Sequence, residues 1–242
     1  MDQLVVALDV ESASHAERLT EQLDGLAGGF KIGSRLFTAE GPPLVRRLND
    51  RGLDVFLDLK FHDIPNTVAE AVAETTRLGA WMLTVHASGG LAMMRAAAQA
   101  ARDTAARIGA RPPLIVGVTV LTSLDGAALA QVGVARDLPA QVDALAALAE
   151  QAGIDGVVAS PLEIEALRRR HGPGFLIVTP GIRGPDSAAR VDDQARTLSA
   201  AGALRAGASY LVIGRPIIRA TDPRAAAERI VRSIGVIGRR TP

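Results

Sequence analysis

Eight short, mainly apolar runs, rich in β-branched residues and separated by longer helix-forming segments, constrain this chain more than any other feature. They are Leu4–Val10, Gly29–Gly33, Val55–Lys60, Met82–Ala87, Leu114–Leu121, Gly156–Ser160, Leu176–Ile182 and Leu211–Ile217. Their hydrophobicity is continuous rather than alternating, as in parallel strands buried on both faces. The segments between them, such as Leu91–Ile108 and Pro139–Ala152, carry apolar residues at helical spacing among strong helix formers. Gly79, Gly153 and Gly207 each fall a few residues before a run, where a helix C-terminal cap belongs. Eight strand–helix units in 242 residues predict an α/β fold, a single (β/α)8 TIM barrel, with an open doubly wound sheet as the alternative. No linker-like stretch divides the chain, so one catalytic domain is expected over residues 1–242. The longest polar interruptions are Ser123–Asp137 and Arg183–Gln194, and Arg239–Pro242 reads as a frayed tail.

Composition narrows the function classes. With 48% hydrophobic and 22% charged residues, the chain has the makeup of a packed globular protein. It has no cysteine, which excludes thiol nucleophiles, disulfides and cysteine-held metal centres and fits a reducing compartment. Basic and acidic residues nearly balance, 27 against 26, and aromatics are only 3%. Nucleic acid is therefore not an expected partner: there is neither a surplus of cations for phosphates nor a platform for stacked bases. No apolar run approaches the roughly 20 residues that span a bilayer. The start of the chain carries Asp2 and no basic region of the signal-peptide kind. These features predict a cytoplasmic protein with no membrane partner.

Of the 27 cations, 25 are arginine, and Lys31 and Lys60 are the two exceptions. A guanidinium stays protonated in any protein site, whereas an ammonium can give up its proton. A lysine kept in so arginine-rich a chain marks a candidate position where arginine fails.

Both lysines fall where a barrel keeps its chemistry, toward the C-terminal ends of its strands. Asp9 ends the first run, Lys31 lies in the second, and Asp58 and Lys60 end the third, with Asp63 three residues on. His86 ends the fourth, Thr122 and Ser123 end the fifth, Arg183 follows the seventh and Arg215 comes at the end of the eighth. Period-two alternation predicts that Asp58 and Lys60 share the interior face. A structural ion pair would explain those two alone. Adding Lys31 and Asp63 makes an alternating network of two ammonium groups and two carboxylates, an arrangement that favours the charged forms. Gly214 opens its backbone N–H to approach, and Arg215 adds a fork of donors at the strand end where this fold habitually holds phosphate. Arg183 and Gln194 bracket the loop that would close over it. His15 and His171 are expected on the surface, His62 as loop support, and His86 either against substrate or as a structural histidine. With no cysteine and no His-x-His or His-Glu spacing, a tight transition-metal site is not expected.

In order along nearly the whole chain, VVALD, FKIGSRLF, GPPLVRRL, FLDLKFHDIPNTV, VHASGGLAMM, VTVLTS, GIDGVVAS, VTPGIR, DDQAR and VIGRPI resemble the orotidine 5′-phosphate decarboxylase family in its shorter bacterial form. The resemblance implies a cofactor-independent homodimeric barrel that converts orotidine 5′-monophosphate to uridine 5′-monophosphate. It implies that Lys60 protonates C6 of the pyrimidine and that Asp58 lies against the substrate carboxylate. Lys31 would link the network to the ribose, and Asp9 would contact a ribose hydroxyl. Asp63 and Thr67 would reach the ribose of the neighbouring subunit's ligand, Ile64 would also contact substrate, and Thr122 and Ser123 would hold the ring. Gln194, Gly214 and Arg215, with Arg183 close by, would grip the phosphate. The stretch RGPDSAARVDDQ is slightly longer than the family's usual loop, which bears most on Gln194. A magnesium-dependent phosphosugar decarboxylase of the 3-keto-L-gulonate 6-phosphate type shares D-x-K-x-x-D, but such relatives carry glutamate where this chain has Lys31. A nucleotide-binding barrel without activity is the remaining alternative, and such relics lose a charged member of the network.

Overall fold

A computed structural model describes residues 2–183 and 198–235. Eight parallel strands close into a barrel: β1 (Leu4–Ala7), β2 (Gly29–Gly33), β3 (Val55–Phe61), β4 (Met82–His86), β5 (Leu114–Val118), β6 (Gly156–Val158), β7 (Leu176–Thr179) and β10 (Tyr210–Ile213). Closure comes from β1 pairing with both β2 and β10. The open doubly wound sheet is thereby excluded. A two-stranded parallel ribbon, β8 (Ile182–Arg183) with β9 (Leu198–Ser199), was not expected from the sequence. Each is only two residues long, too short to leave a periodicity.

The helices lie between the strands: α1 (Ala13–Gln22), α2 (Ser34–Asp50), α3 (Pro65–Arg77), α4 (Gly90–Ile108), α5 (Gly126–Gln131), α6 (Leu138–Ala152), α7 (Ile164–His171), α8 (Ala200–Ala206), α9 (Arg215–Ile218) and α10 (Pro223–Gly235). Asp125 and Asp137 cap α5 and α6 by accepting from Ala128 N and Ala140 N, each at 2.8 Å. Gly153 and Gly207 close α6 and α8 in the left-handed conformation, as their positions suggested. Several strands stop short of their apolar runs, and two differences bear on the site. The interruption Ser123–Asp137 contains α5, and the last strand stops at Ile213 because Pro216 cannot extend a ladder and instead sits in the first turn of α9.

Strand alternation divides the core in two. Val5, Ala7, Phe56, Met82, Val116, Val178 and Val212 fill the barrel interior. The outward residues, among them Val6, Leu57, Leu83 and Ile177, pack beneath the helices. The interior plug therefore supplies a dry floor, and two residues beyond Ala7, Phe56 and Met82 the chain places Asp9, Asp58 and Thr84.

Candidate active site

β1 ends just before Asp9, β2 carries Lys31 inward, and β3 delivers Asp58 and Lys60. Lys31 Nζ lies 3.4 Å from Asp9 Oδ1 and 3.4 Å from Asp58 Oδ2. Lys60 Nζ donates to Asp58 Oδ1 at 2.8 Å. The result is an unbroken chain of alternating charge, Asp9–Lys31–Asp58–Lys60, at the C-terminal mouth of the barrel. Its depth is graded: the side chains of Lys31 and Asp58 are 11% and 13% exposed, Lys60 is 35% and Asp9 57%. Burial pushes the Asp58 carboxyl up, but Lys31 and Lys60, with hydrogen bonds from Lys60 and Thr84, outweigh it and hold its pKa below the ordinary carboxylate value.

Gly33 and Gly214 make room for this cluster. A Cβ at Gly33 would stand 3.1 Å from Lys31 Nζ, and one at Gly214 would stand 3.4 Å from Asp9 Oδ2. The Gly214–Arg215 turn is thus adjacent to the Asp9 end of the network, with Arg215 half-buried at the start of α9. Thr122 and Ser123 lie in the turn after Val118, not at the end of β5 itself, which is three residues shorter than its apolar run. Gln194 lies outside the described residues, and Arg183 is described only as backbone of β8.

Within one chain the fourth member of the network is Asp9 rather than Asp63. Asp63 is exposed, and its Oδ1 accepts from the adjacent Ile64 N at 2.6 Å. Ile64, 66% exposed, and Thr67 share that face at the start of α3. His62 is exposed, its ring 5.2 Å from that of His86. Burial, then His62 and Lys60, lower the His86 pKa, against a smaller pull from Asp58, so its neutral form is favoured. The surface position expected for His171 is wrong. Its side chain is 1% exposed, with Nδ1 2.9 Å from Glu150 Oε2 and the ring against Phe175. A polar RRRH run concealed a ring that turns under the helix.

Thr84 escaped the sequence reading. Its hydroxyl accepts from Lys60 N at 2.8 Å and donates to Asp58 Oδ1 at 3.0 Å. The available signal was a lone hydroxyl in MLTVH, at an inward position between Met82 and His86. Among the described residues, no three His, Cys, Asp or Glu side chains gather as metal ligands, and no helix is long and apolar enough to cross a membrane.

A model of the orotidine 5′-phosphate decarboxylase / HUMPS family matches residues 2–230. The chain belongs to this family. An orotidine 5′-phosphate decarboxylase of Moorella thermoacetica is 54% identical over 237 residues, covering 98% of this chain and 93% of that protein. Another, from Paramagnetospirillum magneticum, is 50% identical over 236 residues, covering 98% of this chain and all of its counterpart, 100%. The crystal structure of the Lactobacillus acidophilus orotidine 5′-phosphate decarboxylase matches with a TM-score of 0.84 at 35% identity, over 96% of this chain and 98% of that one. An uncharacterized conserved protein from Geobacillus kaustophilus matches with a TM-score of 0.83 at 37% identity, over 96% and 99%. The family match takes in the whole charge network and the Gly214–Arg215 turn.

Proposed function

We propose that this chain is a carboxy-lyase that decarboxylates orotidine 5′-monophosphate to uridine 5′-monophosphate in de novo pyrimidine biosynthesis, with no cofactor. The observation that carries this reading is the Asp9–Lys31–Asp58–Lys60 chain at the barrel mouth, in a sequence half identical to proteins named for that activity. The substrate carboxylate would lie against Asp58, whose lowered pKa keeps it ionised. Two carboxylates about 4 Å apart repel by roughly 4 kcal/mol at an effective dielectric near 20. The C6–carboxylate bond breaks, carbon dioxide leaves, and the electron pair remains on C6. Lys60 stabilises that carbanion through its ammonium charge, then gives it one proton to form the C6–H bond. Charge stabilisation carries more of the barrier in this account than ground-state repulsion does.

Asp9 and Lys31 would take the ribose, Thr122 and Ser123 the ring, and Gly214, Arg215, Gln194 and Arg183 the phosphate. Binding energy from that distant phosphate organises the loops around the reacting carbon. Asp63, Ile64 and Thr67 would complete the site of a second subunit in a homodimer, which is consistent with their exposure here. The balanced charge and lack of cysteine suit a cytoplasmic enzyme.

The deciding experiment incubates the purified chain with orotidine 5′-monophosphate in excess chelator and follows the loss of substrate ultraviolet absorbance. Turnover is expected to continue with uridine 5′-monophosphate as product. Absence of turnover, or turnover that appears only with added magnesium, overturns the reading.

A further inference from the structure

Lys60 has a positive φ, +54°, and among the described residues no other non-glycine residue does. For a long side chain this left-handed region is strained, and the surrounding structure must hold it. The strain coincides with a break in strand register. β3 pairs with β4 through Leu57 with Leu83 and then Phe61 with Val85. Asp58, Leu59 and Lys60 thus stand opposite the single residue Thr84, a bulge that re-aims side chains. Simple alternation is therefore not what brings Asp58 and Lys60 together. The bulged backbone turns Lys60 back so that its Nζ reaches Asp58 Oδ1.

We propose that Thr84 is the positioning residue for this site, its hydroxyl bridging the backbone of Lys60 to the carboxylate of Asp58. Thr84 is fully buried and pairs with Val116, an interior residue, so it forms the boundary between the apolar plug and the charged mouth. A buried hydroxyl is costly there unless bonded, and valine would fill the same space at a β-branched strand position. The one hydroxyl instead uses both of its capacities on the site. It accepts the Lys60 N–H that the bulge removes from the ladder and donates to the oxygen that also receives Lys60 Nζ. Asp58 and Lys60 are thereby fixed relative to one another before substrate arrives. Thr84 itself need touch no reacting atom.

The inference rests on the functional reading of Lys60, and its test keeps the two separable. Thr84→Val should lower kcat about tenfold or more, with KM within roughly threefold, while Thr84→Ser recovers kcat to within about threefold of wild type. The acid limb of the kcat/KM profile should move to higher pH in Thr84→Val, because the Asp58 carboxylate loses a donor. A crystal structure of Thr84→Val should show Lys60 displaced from its positive φ, a result independent of turnover. The proposal is overturned if Thr84→Val keeps more than half of wild-type kcat or retains the Lys60 backbone unchanged. It is equally overturned if activity falls with the acid limb unmoved and Thr84→Ser no better, since that pattern belongs to packing alone. Should Thr84→Val fail to fold, Thr84→Ser decides: kcat within threefold and an unmoved acid limb support the bridge, and a loss beyond tenfold sinks it. An inactive wild type would refute the decarboxylase reading, leaving the crystallographic arm to judge Thr84.

Discussion

Asp54 and Asp58 are set by the same strand, one just before β3 begins and the other at its middle, where the bulge starts. The strand delivers them to opposite mouths of the barrel. At the lower mouth, partial burial raises the Asp54 carboxyl, with Arg111 pulling the other way. Trp81 and Tyr210 meet edge to face beside it, ring centroids 5.2 Å apart, and close the base of the plug. Burial also raises the Tyr210 phenol, with Asp54 adding to the effect. At the upper mouth burial is deeper, yet Asp58 moves in the opposite direction because two ammonium groups and a hydroxyl meet it. Desolvation thus acts with one sign at both ends, and the partners decide the outcome. This agrees with a barrel whose lower face is devoted to packing and whose upper face holds polar groups ready for a charged ligand.

The contrast is sharpest at Lys60. Lys60→Arg should be nearly as damaging as Lys60→Ala, because a guanidinium does not readily give up a proton. Retention of more than about a tenth of wild-type kcat, a loss under roughly 1.4 kcal/mol, would break the donor assignment. Whether the upper mouth is complete within one chain is the next question. Lys60→Ala and Asp63→Ala should each be nearly inactive alone, and mixing them with subunit exchange should restore roughly a quarter of wild-type sites. Exchange confirmed by mass spectrometry without recovered activity would place Asp63 in its own subunit's site. Arg215→Ala should cost a phosphorylated ligand about 1.5–3 kcal/mol more than the corresponding nucleoside, read by calorimetry. Equal losses would remove Arg215 from the phosphate.

Two smaller effects test the two aspartates directly. The lowered Asp58 pKa means its stabilising contribution is complete above the ordinary 3.8 and is lost as pH falls through the folded value. The stability gap between wild type and Asp58→Asn, measured by urea unfolding, should therefore be widest near neutrality and shrink below about pH 3.8. Asp54 carries the opposite sign: its raised pKa weakens the fold as pH rises past the ordinary value. Asp54→Asn should accordingly leave kcat unchanged and shift stability by no more than about 0.5 kcal/mol, toward greater stability if at all. A large loss of activity in that variant would erase the distinction between the two mouths.

What the sequence determined by itself was the barrel and the residues that ring its mouth. Continuous β-branched runs and helical spacing are local consequences of burial on both strand faces, so they are written in the chain. The scarcity of lysine singled out Lys31 and Lys60 for a reason of acid–base chemistry that is equally local. Tertiary structure alone decided the pairings. The neighbours of Lys31 are Asp9 and Asp58 because β1 and β3 flank β2. Asp63, nearer in sequence to Lys60, faces outward instead at the start of α3. The His171 ring turned inward although its run is polar. Thr84 acquired its two bonds because a bulge set three residues of β3 against one of β4. Register between strands distant in sequence is set by closure of the whole barrel, and no window along the chain contains that information.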